Sequence, residues 1–207
     1  MLPPVVVGVQ PVVDTVSSMI DVSESQLRDH LTTALSVQRW VDEVASGAPY
    51  ADVSELVAVA ERAGAELTGD EIDEALAHHP RIGEAPVGEG SAQEFSRREQ
   101  QASQLTDDPA EVKALAEGNA TYEARFDRVF VIRAAGRSRQ EIIDELERRL
   151  KLDDETEKRE AGAQLVEIAV LRLRQTFGET SAESGRSAET ASPRETEPAA
   201  DAGTRLA

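Results

Sequence analysis

An all-α, single-domain bundle of about eight helices is the fold this sequence predicts, and three observations carry the prediction. Apolar residues recur at helical spacing almost throughout residues 23–177, with no long period-2 alternation. The hydrophobic fraction is 40% but the aromatic fraction only 3%, so Leu, Val, Ile and Ala must fill the core, which suits helix packing better than a β-sandwich. Hydrogen-bonding caps stand where the periodic stretches begin.

The opening, MLPPVVVGVQPVV, is apolar but lacks a basic start and carries Pro3, Pro4 and Pro11. Neither a signal peptide nor a membrane helix accommodates that pattern, so residues 1–22 are expected to form an extended arm. Ser23 with Gln26, Asp52 with Glu55, Thr68 with Glu71 and Ser138 with Glu141 have the spacing of a capping box. Asp108 followed by Pro109 marks a further start, because proline at the first helical position lacks only an amide that would be orphaned anyway. The predicted helices are 24–35, 38–46, 53–65, 69–79, 91–104, 109–126, 139–150 and 155–177. Val129 to Ile132 is the one β-like run, too short for a sheet and expected as an extended connection. From Gly178 onward Ser, Glu, Pro and Gly replace the apolar periodicity, so residues 178–207 are expected to be a disordered tail. The helical domain is thereby bounded at 23–177.

A formal charge of −18 argues against nucleic acid, which needs a basic face to displace counterions, and against anionic membranes. With no cysteine, this chain has no disulfide, thiolate metal site or cysteine nucleophile, which is compatible with a reducing cytoplasm. Lysine occurs only at 113, 151 and 158; the bias toward arginine suggests a GC-rich bacterial genome. His30, His78 and His79 offer no metal-ligand spacing. No phosphate-binding loop or nucleophile elbow is present. No metal or cofactor is expected.

Three polar residues fall where a helical stripe demands an apolar one. Ile72, Ala75 and Leu76 define a buried stripe that continues to His79, whereas His78 lies about 100° away. His79 also sits in the predicted last turn before Pro80, where the negative end of the helix dipole favours its protonated form. Ala92, Phe95 and Ala102 share a face with Glu99. Ala161, Leu165 and Ile168 share one with Arg172. Taken singly, each is explained by an ordinary core hydrogen bond or a structural ion pair. Taken together they supply a proton carrier, a carboxylate and a fixed cation, a set that is costly to bury without a purpose.

The segments HPRIGE from His79 to Glu84 and SRREQ from Ser96 to Gln100 resemble the 2-oxo-4-hydroxy-4-carboxy-5-ureidoimidazoline (OHCU) decarboxylase family. RWVDEVA from Arg39, Pro49-Tyr50, Asn119, Tyr122, Arg125-Phe126, FVIRAAGR from Phe130 and LRL from Leu171 follow in the family's order, over roughly residues 24–177. The resemblance implies an all-helical homodimer that converts its substrate to (S)-allantoin in urate breakdown without a cofactor. It places the catalytic histidine at His79. It places substrate contacts at Pro80, at Ser96, Arg97, Arg98, Glu99 and Gln100, at Phe130, Val131, Ile132, Arg133 and Ala134, and at Arg172. The chain departs from the family at Ala48, where an arginine is usual, and at Asp127, where glycine is common. Two assignments stay open for His79: it protonates the ring carbon, or it deprotonates the substrate or destabilises its carboxylate. Readings outside this reaction are an acidic helical interaction module, in which the three residues are a buried polar network, and a related ureide hydrolase.

Overall fold

The computed structural model describes residues 19–77, 79–83 and 108–188. Seven helices lie within them: α1 Glu24–Ala34, α2 Gln38–Ser46, α3 Val53–Ala65, α4 Gly69–Ala77, α5 Pro109–Phe126, α6 Arg139–Arg149 and α7 Asp154–Ala188. The predicted all-helical class is the observed one. The helix expected at 91–104 lies outside the described residues.

The caps act as their spacing implies. Ser23 and Gln26 exchange hydrogen bonds in a full capping box (3.2 and 3.0 Å). Ser138 and Glu141 do the same (2.7 and 3.2 Å). Asp52 accepts from the Glu55 amide at 2.9 Å, and Asp108 accepts from Ala110 at 2.8 Å with Pro109 behind it. Each bond satisfies an amide that the first helical turn cannot pair internally. Two boundaries differ from expectation by more than one residue. Helix α4 stops at Ala77 rather than 79, and α7 continues to Ala188, past the Phe177 at which apolar periodicity ends. Local propensity accounts for the extension, since Glu and Ala favour the helix and Ser tolerates it.

Two cores result. Helices α1 to α4 and the middle of α7 enclose the larger, around Leu31, Trp40, Leu56 and Leu165. Trp40 fixes α2 to α3 by donating its indole N–H to the Ala60 carbonyl at 2.9 Å. Helix α7 lies close enough to α3 that a Cβ on Gly64 would stand 2.6 Å from Val166 Cγ2, so only glycine fits there. Helices α5 and α6 enclose the smaller core, around Tyr122, Phe130, Ile142 and Leu146. The extended stretch 129–134 runs between the two: Val131 belongs to the larger core, whereas Phe130, Ile132 and Ala134 belong to the smaller. That alternation is the period-2 geometry of an extended chain, here buried on both faces.

Candidate active site

Helix α4 presents the predicted stripe inward, with Ile72, Ala75 and Leu76 all buried. Its start is anchored twice. Glu71 accepts from the Thr68 amide at 2.8 Å, and receives Arg39 of α2 through bonds of 2.6 and 3.2 Å. The Arg39 guanidinium, with the Thr68 amide, holds the Glu71 carboxyl down at about 2. From this anchored helix the chain leaves through His79, whose amide donates to the Leu76 carbonyl at 3.0 Å.

The His79 ring has one nitrogen committed and one open. Nδ1 lies 3.3 Å from the Pro80 carbonyl; a carbonyl only accepts, so Nδ1 carries the proton and Nε2 the lone pair. Nε2 is buried and has no hydrogen-bond partner among the described residues, although the residue as a whole keeps partial exposure. Burial, and next the Arg172 guanidinium, push its pKa from 6.5 down to about 4, against a small upward pull from the Pro80 carbonyl. The expected protonation by the α4 dipole is therefore overturned. The helix ends before His79, and desolvation beside a cation outweighs the dipole.

Arg172 is reached from the opposite direction. Ala161, Leu165, Ile168 and Arg172 are all buried on one face of α7, as their spacing predicts. The guanidinium meets the C-terminal end of α1, where Nη1 donates to the carbonyls of Ala34 (3.3 Å) and Thr33 (3.4 Å). Those carbonyls form the negative end of the α1 dipole, which favours a cation. His79 and Arg172 line one cavity of about 280 Å³, walled by Ala75, Leu165 and Ile168 and by the turn after α1.

The other expected site residues divide. Glu99, Ser96, Arg97, Arg98 and Gln100 lie outside the described residues, as does His78. Pro80 stands beside His79 and holds its ring. Phe130, Val131, Ile132 and Ala134 are buried, but none of them is among the described residues lining the cavity of His79 and Arg172. Two backbone groups of this stretch are already engaged within the chain: the Arg133 amide donates to Gln164 at 3.0 Å, and the Val131 carbonyl accepts from Arg149 at 2.7 Å. The Arg133 side chain turns outward to Glu167 at 3.1 Å.

Sequence reading missed a second buried polar group. Glu157 is fully buried and receives Tyr122 Oη, Arg149 and Arg128, the last at 2.8 Å. Desolvation raises the Tyr122 pKa well above its ordinary value, with Arg149 opposing. The signal for this group was present in the sequence. Ile142, Leu146 and Arg149 stand at i, i+4 and i+7, and Glu157 precedes Ala161 on the stripe that ends at Arg172.

Comparison with known proteins agrees with this architecture. The OHCU decarboxylase family model matches residues 21–174. The chain belongs to the OHCU decarboxylase family. A curated relative, the uric acid degradation bifunctional protein TTL of Arabidopsis thaliana, is 29% identical over 128 residues, 60% of this chain. The match covers 39% of that relative's own length. Among solved structures, an OHCU decarboxylase crystallised in the presence of (S)-allantoin has a TM-score of 0.59 at 22% identity, covering 72% of this chain and 98% of that one. An (S)-allantoin synthase has a TM-score of 0.55 at 17% identity, covering 76% of this chain and 52% of that one. These likenesses show that the fold is shared. Among the described residues, no helix is long and apolar enough to cross a membrane.

Proposed function

We propose that this chain is a carboxy-lyase that converts OHCU to (S)-allantoin in urate degradation, with His79, Arg172 and Glu99 as its catalytic groups. Family membership supports the reaction. The observation that carries the assignment of residues is the buried, unpartnered Nε2 of His79 beside the buried Arg172 guanidinium. A structural histidine at that depth would be hydrogen-bonded at both nitrogens or replaced by an apolar residue.

The substrate's carboxylate is attached to a ring carbon that also bears a hydroxyl. When that bond breaks, CO₂ departs and the electron pair passes into the adjacent C=N of the ring, whose nitrogen takes up a proton. The resulting enol then loses its hydroxyl proton and gains one at the neighbouring carbon, giving the carbonyl and the C–H of the product. No external electron sink is required, so the protein's work is orientation, charge placement and proton transfer on one face. A neutral His79 enters as the acceptor: Nε2 takes the hydroxyl proton and returns a proton to the ring carbon from its own side, setting the S configuration. The low pKa of His79 favours this order over a donor that begins protonated. Arg172, held by the α1 carbonyls, clamps an anionic or carbonyl oxygen with its planar fork. In this reading Glu99 holds the hydroxyl and a ring nitrogen, and the resemblance gives Pro80, the rest of 96–100 and 130–134 the remaining contacts. The same reading takes the enzyme as a cofactor-independent homodimer of a bacterial cytoplasm.

The test is direct. Purified protein mixed with freshly generated substrate should release CO₂ and accelerate the appearance of optically active allantoin, and His79→Asn should abolish the acceleration while keeping the helical circular dichroism. Wild-type protein that leaves the spontaneous rate unchanged would refute the activity, and full turnover by His79→Asn would remove His79 from the chemistry.

A further inference from the structure

We propose that a second cavity, between the segment that follows His79 and helices α5 and α6, binds a small carboxylate that also carries an N–H donor. The cavity measures about 220 Å³ and, among the described residues, shares no lining residue with that of His79 and Arg172. At roughly 30 Å³ per water this is space for about seven waters, the size of a small metabolite. Arg81, Glu123, Asn119 and Arg139 give it its polar groups, and Val112 and Leu115 an apolar wall.

Its chemistry follows from what is left unpaired. Arg139 is 7% exposed, and its Nε and Nη1 are buried without hydrogen-bond partners. It is also the first residue of α6, at the positive end of that helix's dipole, which disfavours a cation and favours an anion. Glu123, the one carboxylate among the described lining residues, is committed to Arg81 through both oxygens (2.5 and 2.6 Å), and the Arg139 guanidinium keeps its Nε and Nη1 open. An anionic oxygen pair matches the guanidinium. Asn119, also 7% exposed, supplies the second requirement. Its Nδ2 donates to the Ile82 carbonyl at 3.0 Å, and its Oδ1 is buried without a donor. An amide or ureide N–H on the ligand satisfies that acceptor. Buried donors and acceptors left open together, around a space of this size, are the mark of a site built for a polar guest.

The site would also report to the catalytic segment. Asn119 holds Ile82, three residues from His79, so a guest that fixes the Asn119 side chain stiffens the segment on which His79 stands.

N-acetylglycine, a carboxylate with one amide N–H and little else, is the probe. Added to the full chain at millimolar concentration it should raise the melting temperature by several degrees. In a ¹⁵N spectrum it should shift the Asn119 side-chain amide and the backbone amides of Ile82 and Arg139. Arg139→Met, which keeps the apolar length and removes the unpaired buried charge, should fold at least as stably as the parent and weaken binding at least tenfold. Acetamide, which has the N–H but no charge, should bind at least tenfold more weakly than N-acetylglycine. Shifts centred on His79 and Arg172, or equal affinity in Arg139→Met, would overturn the proposal. So would a fall from dimer to monomer in Arg139→Met without any probe binding, which would give the cavity to a second copy of the chain. None of these readouts uses decarboxylation, so their failure is separate from a failure of the proposed activity.

Discussion

Helix α7 carries two buried ionic side chains on one face, Glu157 in its first turn and Arg172 four turns further on, and the two ends are finished differently. At the Glu157 end the carboxylate is taken up on all sides: Tyr122, Arg149 and Arg128 donate to it, and Arg149 also holds the Val131 carbonyl, with only its Nε left without a partner. At the Arg172 end the cation rests on the α1 carbonyls while the neighbouring Nε2 of His79 has no partner. Burial alone does not separate the two ends, because Glu157 is the more deeply buried. What separates them is the setting of the polar groups: three donors converge on the Glu157 carboxylate, whereas His79 and Arg172 line a cavity. The first arrangement locks the extended stretch 129–134 between two cores, and the second leaves reactive capacity facing open space.

The largest effect expected from this contrast is on stability at the Glu157 end. Glu157→Ala strands the buried Arg149 without its carboxylate, while Arg128 keeps Asp154 at 2.6 Å, and should cost about 3–5 kcal/mol, read as a fall in the urea midpoint at unchanged slope. The double variant Glu157→Leu/Arg149→Met should recover much of that loss. Strict additivity of the two single losses would show that the pair is not coupled.

Next in size is a pH effect at the other end. His79 has a folded pKa of about 4 against an ordinary 6.5, so between those values the unfolded chain binds a proton that the folded chain does not. Stability tied to His79 is thus fully present above pH 6.5 and is lost as pH falls through 4, by up to about 3 kcal/mol at about 1.4 kcal/mol per unit. Urea titrations of wild type and His79→Gln from pH 4 to 7 should diverge, with the variant flatter. Parallel curves would mean that the imidazole is not held neutral.

Arg172→Lys should separate activity from stability. It keeps the charge near the α1 carbonyls, so stability should move by about 1 kcal/mol or less. It loses the planar fork, so kcat/KM should fall on the order of a hundredfold, about 2.7 kcal/mol of transition-state stabilisation. A large stability loss with normal turnover per folded molecule would make this end of α7 a structural twin of the other.

The smallest effect belongs beside the paired end. Asp127 closes α5 in the left-handed region at φ 53°, ψ 33°, with its amide donating to the Glu123 carbonyl at 2.9 Å. This is the place where the family commonly has glycine, and a side chain there is mildly strained. Asp127→Gly should therefore raise stability by up to about 1 kcal/mol without altering turnover, measured by thermal melting beside the allantoin assay.

Much of this was legible in the chain itself. The caps at Ser23, Asp52, Asp108 and Ser138 lie within three residues of their partners, and helical periodicity marks Ile72, Leu165 and Arg172 as inward. Both are local properties, set by backbone geometry that a few neighbouring residues determine. The same periodicity carried Arg149 and Glu157 without distinguishing them from Arg172, because a helical wheel states which way a side chain points and not what it meets. The tertiary structure decided the partners. Tyr122 and Glu157 are 35 residues apart in sequence, and Arg172 and Ala34 are 138 apart. It also decided the state of His79, where helix polarity alone favoured a proton. The loss of water around the imidazole and the approach of Arg172 from α7 depend on elements that only folding brings together, and over such short distances in a dry interior they outweigh the dipole of one short helix.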